Sequence, residues 1–321
     1  MLPTVDEIRA AATRLEGIIA RTPLRPSPRL SERAGAEVFL KCESLQRTGS
    51  FKLRGAYNAL ASLSPQARSR GVVASSAGNH GLGVAQAAAL LGIHAHLFVP
   101  ATAPAVKREG IVALGAAVDA SYADYDAAHH AAEVYARDHE LTFVNPCAGR
   151  ALLAGQGTVG LEILEELPTL ATLLVPVGGG GLAGGIAALF RAVAPAVRIV
   201  GVQSERTDAM AASLRAGHRV DVAVPPTLAD GLAGQIDDVG LAIGQFALDG
   251  MLLVSEAEIG AAIGWLAREH GLRVEGSGAV TVAALLRHHS APLDGPVVAV
   301  VSGGNIDDAR WREVAGAAST L

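Results

Sequence analysis

The sequence predicts an α/β protein built from two doubly wound lobes that share a cleft. Short apolar runs recur along the chain, each followed by Gly or Ser and then by an Ala-rich stretch, as in GVVASSAGNHGLGVAQAAALLG and ATLLVPVGGGGLAGGIAALFRAV. This alternation of strand, glycine loop and helix is typical of a parallel sheet covered by helices. The 321 residues exceed what one hydrophobic core usually organises, and 37 glycines with only 4% aromatic residues are typical of tightly packed Ala and Val.

The composition excludes several classes of function. A formal net charge of -5 without a basic cluster provides no surface for a phosphate backbone, so no nucleic-acid partner is expected. The N-terminus lacks a basic segment followed by an apolar core, and no run reaches the roughly 20 apolar residues that cross a bilayer, so we expect a cytoplasmic protein without a membrane partner. Cys42 and Cys147 form no CxxC motif, and we interpret both as reduced packing residues.

The order of these elements predicts a small domain inserted into a large one. Residues 71–147 hold their own alternation of strands and helices, which predicts the small domain, and residues 1–64 and 149–321 make up the predicted large domain. Three loops follow apolar, strand-like runs: SSAGNHG at Ser75–Gly81, VGGGG at Val177–Gly181 and VSGGN at Val301–Asn305. In wound sheets of this kind ligands bind beyond the carboxyl ends of the strands, where such loops lead into helices.

The four consecutive glycines of the second loop predict a site for a phosphate group. Without side chains, the backbone N–H groups of Gly178, Gly179, Gly180 and Gly181 can converge on an anion. An alternative interpretation is a glycine turn that lets the helix pack closely on the sheet. A second alternative is dinucleotide binding, because Gly179, Gly181 and Gly184 match GxGxxG and Glu205 follows about 20 residues later.

Lys52 is the candidate nucleophile. Phe51 and Leu53 flank it, small polar residues precede it in LQRTGSFKLRGA, and Arg54 provides a cation close by. A lysine that is partly removed from water in this way can attack an aldehyde and form a Schiff base. Ser302 ends the apolar run VVAVVSGGN, where its hydroxyl is the last polar group before a turn; taken alone, that position indicates no more than a strand-end cap.

Five motifs in the same order resemble those of a known family. LQRTGSFKLRGA, SSAGNHG, GQGT, VPVGGGGLAGG and SGGN extend from Leu45 to Asn305, and together they are similar to the fold-type II pyridoxal-phosphate enzymes, in the branch of the threonine and serine dehydratases and the serine racemases. The fold that this resemblance implies is that of the tryptophan synthase β subunit, with the active site in the cleft between two α/β lobes.

The resemblance implies a role for each residue of these motifs. Lys52 would bind pyridoxal 5'-phosphate covalently, and Phe51 would lie against one face of the pyridine ring. Asn79 would hydrogen-bond the ring hydroxyl, and Ser302 would contact the ring nitrogen. The phosphate group would lie in the loop of Gly178, Gly179, Gly180 and Gly181. The substrate carboxylate would be bound by Ser76, Gly78, Asn79 and His80. Glu275 and Gly276 would lie near the ring, while Ser277 could cap the helix that follows.

The chemistry implied is β-elimination from a β-hydroxy amino acid, with L-threonine or L-serine as the first expectation and a 2-oxo acid and ammonia as products. A serine hydroxyl at the ring nitrogen does not hold that nitrogen protonated, which favours prompt loss of a β-leaving group. Specialised dehydratases for 3-hydroxyaspartate, phenylserine or a hydroxyectoine-derived compound, and racemases, are alternatives within the family. A nicotinamide-dependent oxidoreductase and a binding module without catalysis are alternatives from other classes. We expect a homodimer or homotetramer.

Two departures from the family pattern bear on function. Ala77 stands where serine racemases have the serine that acts as a second acid/base group, so this chain resembles the threonine dehydratases better at that position. Gln203 stands where cation-activated members have a glutamate, and a neutral amide weakens a site for a hard cation. Glu205 and Asp208 could still supply carboxylates, but we expect no metal site.

Overall fold

A computed structural model describes residues 2–103, 105–287 and 293–317. Residues 1, 288–292 and 318–321 of the predicted large domain, and residue 104 of the predicted small domain, lie outside the described residues. The described residues form these strands: β1 (Leu24–Pro26), β2 (Val38–Cys42), β3 (Val72–Ser75), β4 (Ala95–Pro100), β5 (Ala117–Tyr122), β6 (Thr142–Phe143), β7 (Thr172–Pro176), β8 (Arg198–Ser204), β9 (Gly250–Val254) and β10 (Val297–Val301).

Helices alternate with the strands along the chain. They are α1 (Val5–Leu15), α2 (Pro28–Ala34), α3 (Lys52–Ala61), α4 (Pro65–Arg70), α5 (Asn79–Leu91), α6 (Ala105–Ala113), α7 (Tyr125–Asp138), α8 (Arg150–Glu166), α9 (Gly181–Val193), α10 (Ala209–Ala216), α11 (Asp238–Ala247), α12 (Glu256–His270), α13 (Gly276–Leu286) and α14 (Asp308–Ala317). Short 3₁₀ helices occupy Glu43–Leu45 and Asp230–Leu232. Within the described residues, no helix is both long and apolar enough to cross a membrane.

The strands form two separate sheets. The larger sheet has the strand order β1-β2-β10-β7-β8-β9, and the smaller one has the order β5-β4-β3-β6. All neighbouring strands run parallel except β1, which pairs with β2 in the antiparallel direction at the edge of the larger sheet. The α/β class with parallel sheets is therefore confirmed, whereas the antiparallel edge strand was not anticipated from the sequence.

The larger sheet is covered on both faces, and its central strand β10 is buried and apolar at every position. Along β10, Val298 and Val300 pack in the core that contains residues of α1, α8 and α9, while Val297, Ala299 and Val301 pack in the core formed with α12 and α13. All strands of the smaller sheet come from residues 72–143, and all strands of the larger sheet come from outside this range. The domain limits predicted above agree with this division and stay a prediction.

Glycines allow three helices to pack with their backbones in contact. A Cβ at Gly155 of α8 would collide with the carbonyl oxygen of Arg54 in α3. A Cβ at Gly185 of α9 would collide with the carbonyl oxygen of Leu153 in α8. The backbones of α3, α8 and α9 therefore touch. This close packing fixes the start of α3 relative to the start of α9, which are the positions of Lys52 and of the glycine loop.

Candidate active site

Lys52 is the first residue of α3, and its amine contacts the segment that follows β6. The Nζ atom donates a hydrogen bond of 2.8 Å to the carbonyl oxygen of Pro146 and lies 5.2 Å from the centre of the Phe51 ring. The backbone N–H of Phe51 donates to the carbonyl oxygen of Ser302 at 3.2 Å. These contacts bring Phe51, Lys52 and Ser302 together, as the sequence predicts.

The other two lysines of the sequence are engaged in ion pairs. Lys41 is fully buried, and its Nζ atom lies 2.7 Å from a carboxylate oxygen of Glu162. The Nζ atom of Lys107 lies 3.5 Å from a carboxylate oxygen of Asp230. Lys52 differs because its amine is hydrogen-bonded to a neutral carbonyl. Breaking such a hydrogen bond costs less free energy than separating a buried ion pair, so this amine is the one suited to react as a nucleophile.

A buried charge network holds the helix that carries Lys52. The Arg54 guanidinium is fully buried and donates to both carboxylate oxygens of Glu43 at 2.8 Å, and to those of Glu162 at 2.6 and 2.9 Å. Lys41 completes a set of two cations and two carboxylates. Arg54 therefore anchors α3 to its neighbours, and its charge is balanced by both carboxylates.

The glycine loop lies against the residues that contact Lys52. A Cβ at Gly179 would lie 2.7 Å from the Cys147 sulfur, and one at Gly181 would lie 2.9 Å from the Cys147 carbonyl oxygen. A Cβ at Gly178 would lie 3.2 Å from the backbone of Leu232. Side chains at these three positions would crowd the residues packed on the loop, and the Pro146–Cys147 segment connects the loop to Lys52.

Helix α9 starts directly from this glycine loop. Gly180 is the N-cap residue, with φ at +89°, a left-handed conformation that favours glycine, and it forms no side-chain cap. The first N–H groups of a helix have no partner within the helix, and its N-terminus carries partial positive charge. Together these features suit a phosphate group.

A second open helix start comes from the smaller sheet. Gly78 precedes α5 without a side-chain cap, and its own N–H donates to the Ser76 hydroxyl at 3.1 Å. The N–H groups of Asn79 and His80 therefore stand at the end of β3, beside Lys52 and suited to a carboxylate. The start of α9 and Lys52 are thus linked through the Pro146–Cys147 segment, and the start of α5 lies near Lys52.

The buried His80 side chain holds the segment that leads to Pro146 in place. Its Nε2 atom lies 2.9 Å from the carbonyl oxygen of Val144 and must donate to it. Burial lowers the pKa of His80 to about 3, and the charge of Lys52 acts in the same direction. The imidazole is therefore neutral and fixes the segment that leads to Pro146, so the backbone N–H is the donor of His80 that remains for a substrate.

Asn79 is held by a chain of hydrogen bonds between distant parts of the sequence. Its Nδ2 atom donates to Glu275 at 2.6 Å, and its Oδ1 atom accepts from Asn305 at 2.7 Å. Glu275 is buried, with 6% of the residue exposed. The Ser302 hydroxyl lies 3.4 Å from the carbonyl oxygen of Ser277 in α13. Asn79 and Ser302, the two residues predicted to contact the ring, are thus both close to α13.

Helix α13 begins differently from the expectation. Its N-cap residue is Glu275, and Ser277 lies within the first turn, where its hydroxyl accepts a 2.8 Å hydrogen bond from the Gly231 N–H. The predicted capping role of Ser277 is therefore wrong. Its hydroxyl instead fixes the 3₁₀ helix at Asp230–Leu232, whose last residue packs on Gly178 of the glycine loop.

The side chains around the end of β8 have structural partners. Gln203 accepts a hydrogen bond from the Ala211 N–H at 3.0 Å and ties α10 to β8, and Asp208 pairs with Arg215 at 3.1 Å. Among the residues that the structure describes, no group of three or more His, Cys, Asp or Glu side chains is arranged to hold a metal ion.

Sequence reasoning missed three participants. Pro146 contributes a backbone carbonyl, which no residue pattern reveals. Cys147 was interpreted as packing alone, yet it lies half-buried against the glycine loop. Asn305 belongs to the SGGN motif, and its place at the end of that motif was a signal that it contacts the site.

A parallel α/β fold with a lysine amine near a glycine loop and an uncapped helix start suits an enzyme that uses a phosphorylated aldehyde cofactor. A family model described as pyridoxal-phosphate dependent enzyme matches residues 15–303. The chain belongs to this family, within the fold-type II branch of threonine and serine dehydratases and serine racemases. This finding favours pyridoxal phosphate over a nicotinamide cofactor.

The chain is similar to several named relatives. It is 44% identical to the L-threonine ammonia-lyase of Thermotoga maritima over 306 residues, which are 95% of this chain and 76% of the relative. It is 39% identical to the catabolic L-threonine dehydratase of Escherichia coli K12, over 97% of this chain and 96% of the relative. Among solved structures, maize serine racemase has a TM-score of 0.92 and 32% identity, covering 100% of this chain and 99% of that one. The processed threonine deaminase isoform 2 of Solanum lycopersicum has a TM-score of 0.90 and 34% identity, covering 99% and 91%.

The residues present fit pyridoxal phosphate, which this chain uses as its cofactor. The glycine loop carries no side chains that could obstruct a phosphate group, and the start of α9 suits one because the first N–H groups of a helix have no partner within it. The Lys52 amine is half-buried and held by one neutral acceptor, which suits reaction with the cofactor aldehyde.

Proposed function

We propose that this chain dehydrates and deaminates L-threonine or L-serine to a 2-oxo acid and ammonia. The observation that carries the proposal is that the Lys52 amine contacts Pro146, whose neighbour Cys147 packs on the glycine loop 178–181, with α5 starting nearby without a side-chain cap. The similarity to L-threonine ammonia-lyase and L-threonine dehydratase at 38–44% identity supports threonine as the first substrate to test.

Lys52 is the central residue of the proposed mechanism. Pyridoxal phosphate, when bound, supplies an electron sink that makes the proton on the substrate Cα acidic. Lys52 Nζ would hold the cofactor covalently and, once released, would take that proton as a general base. The Pro146 carbonyl, which accepts a hydrogen bond from the amine, would keep the amine close to the position of the reacting atoms.

The other residues would bind and orient the ligands. Gly178, Gly179, Gly180 and Gly181 would bind the phosphate through backbone N–H groups at the start of α9. Phe51 would cover one face of the ring and exclude water, Asn79 would donate to the ring hydroxyl, and Ser302 would contact the ring nitrogen. The substrate carboxylate would lie at the start of α5, where Ser76, Gly78, Asn79 and His80 contribute donors.

The arrangement favours elimination over racemisation. Exchange of the Cα proton on both faces needs an acid/base group on each face, and Lys52 serves one face. Ala77 offers a methyl group in the loop where serine racemases carry a hydroxyl. β-Elimination needs proton removal on one face only, so dehydration is the reaction that these side chains support.

The proposal extends to the organisation of the protein. Residues 71–147 would form a small domain that carries the carboxylate loop, and residues 1–64 and 149–321 a large domain that carries Lys52, the glycine loop and Ser302. We also propose that the protein is cytoplasmic and that it assembles into a homodimer or homotetramer.

The test is a substrate panel. Purified holoenzyme is incubated with L-threonine, L-serine, 3-hydroxyaspartate and phenylserine, and the release of ammonia and of 2-oxo acid is measured together. We expect equal amounts of both products, fastest with threonine or serine, and none with Lys52→Ala. Accumulation of D-amino acids in place of ammonia would contradict the proposal, and an Ala77→Ser variant is expected to gain racemisation that the natural chain lacks.

A further inference from the structure

Glu275 is a buried carboxyl that the proposed mechanism does not use. It stands at the N-cap of α13, where Asn79 donates to its Oε1 atom at 2.6 Å and the Asn305 backbone N–H also donates to the carboxyl. A Cβ at Gly303 would collide with the same Oε1 atom. The carboxyl therefore touches α5 and the segment that follows β10, and these are elements from the two different sheets.

The hydrogen bonds fix which way the Asn79 amide points. The Asn305 Nδ2 atom must donate to the Thr48 carbonyl oxygen at 2.7 Å, because a carbonyl only accepts. The second N–H of the same atom donates to the Asn79 Oδ1 atom. The Asn79 Nδ2 atom is consequently directed to Glu275, and of its two N–H groups one remains for a ligand in the cleft.

Two charged side chains face Glu275 from the other elements around it. Asp230 comes from the 3₁₀ helix Asp230–Leu232, and Lys107 comes from α6. Burial, followed by the charge of Asp230, raises the pKa of Glu275 to about 8, although Asn79, Lys107 and the Asn305 N–H act in the opposite direction. At neutral pH the carboxyl is therefore mostly protonated and places no charge beside the cleft.

We propose that Glu275 is a positioning residue that holds the Asn79 amide so that its remaining N–H is available to the cofactor ring hydroxyl. Glu275 acts through Asn79 and does not itself contact the reacting atoms. Its neutral form suits this role, since a negative charge would alter the ring electronics and draw the Asn79 donor towards itself. The inference rests on pyridoxal phosphate binding at Lys52, as in the proposed function, but not on which amino acid is the substrate.

The first test follows the cofactor spectrum against pH. Holoenzyme of the natural chain and of Glu275→Gln is titrated from about pH 6 to 10, across the pKa of about 8. We expect the visible band to change near pH 8 in the natural chain and to stay constant in Glu275→Gln, which keeps an acceptor for Asn79 but does not titrate. Glu256→Gln is the matched control, because Glu256 is a hydrogen-bonded carboxylate of the neighbouring α12, and its titration is expected to match the natural chain.

The second test measures the dissociation constant of pyridoxal phosphate from reconstituted protein. Glu275→Leu and Asn79→Ala are each expected to raise the constant about tenfold, the effect of one hydrogen bond. The double variant is expected to raise it no further than the larger single effect, because both residues act through the same donor. Multiplying effects, or a pH change near 8 that persists in Glu275→Gln, would overturn the proposal.

These outcomes are separable from failure of the proposed function. If the natural holoenzyme binds the cofactor but releases no ammonia from any amino acid tested, the proposed reaction is wrong while the role of Glu275 is still decided by spectrum and affinity. If Glu275→Leu does not fold, the titration of Glu275→Gln decides alone.

Discussion

The natural chain should lose stability as the pH rises towards 8, and replacing Glu275 by Gln should remove that loss. The folded protein holds the Glu275 proton up to a pKa of about 8, whereas the unfolded chain releases it near the ordinary value of 4.5. Between these values the folded state binds one proton more than the unfolded state, so the free energy of unfolding falls by about 1.4 kcal/mol for each pH unit. Over the whole window the loss amounts to about 5 kcal/mol, and Gln, which does not titrate, removes it.

The assay is urea unfolding of holoprotein at pH 6, 7, 8 and 9, with the natural chain and the variant measured side by side. We expect the advantage of Glu275→Gln to grow from pH 6 to 8 and then to level off. Glu258→Gln is the control, because the pKa of Glu258 is shifted in the opposite direction: Arg287 lowers it to about 2. The stability that Glu258 contributes is therefore lost only as the pH falls from 4.5 towards 2. Its difference from the natural chain should be flat from pH 6 to 9. Parallel curves for Glu275→Gln and the natural chain would refute the assignment of a buried, protonated carboxyl.

Three further changes have defined outcomes. Gly181→Ala places a methyl group against the Cys147 backbone, which cannot move as a side chain could. We therefore expect the dissociation constant of pyridoxal phosphate to rise about tenfold, a free-energy cost at the lower end of those for overpacking. The control Gly316→Ala places its methyl group in open space and should leave the constant unchanged. Arg54→Leu leaves buried carboxylates without their cation and should lower the free energy of unfolding by about 3–5 kcal/mol in urea; a loss below about 1 kcal/mol would contradict the network. His80 is kept neutral when folded, with a pKa of about 3 against an ordinary 6.5, so stability should fall as the pH drops below 6.5. His80→Gln should weaken that dependence, and an equal slope in both proteins would speak against it.

The parts of the fold that the sequence predicts are those dictated by local patterns. The run Val297–Val301 is apolar at every position, and β10 is buried on both faces, since a central parallel strand needs no polar side. The glycine loop was predictable because a strand, four glycines and a helix place free N–H groups at one point. The antiparallel β1 was not, because three residues, one of them Pro, form no recognisable strand pattern.

The supporting contacts of the site could not be predicted from the sequence. Asn79 and Glu275 stand 196 positions apart, and their hydrogen bond exists only because the fold brings the starts of α5 and α13 together. The position of Cys147 against Gly179 likewise depends on the packing of α8 on α9. Motifs identify the residues that face ligands, whereas pairings between distant elements follow from packing that no short pattern encodes.

The attachment point of the cofactor tests the central claim most directly. Holoprotein is reduced with borohydride, digested, and analysed by mass spectrometry for a pyridoxyl-phosphate adduct. The chain has three lysines, and Lys41 and Lys107 are held in ion pairs, so the adduct is expected on Lys52 alone. An adduct on Lys41 or Lys107, or loaded protein that yields no adduct, would contradict a site built around the Lys52 amine.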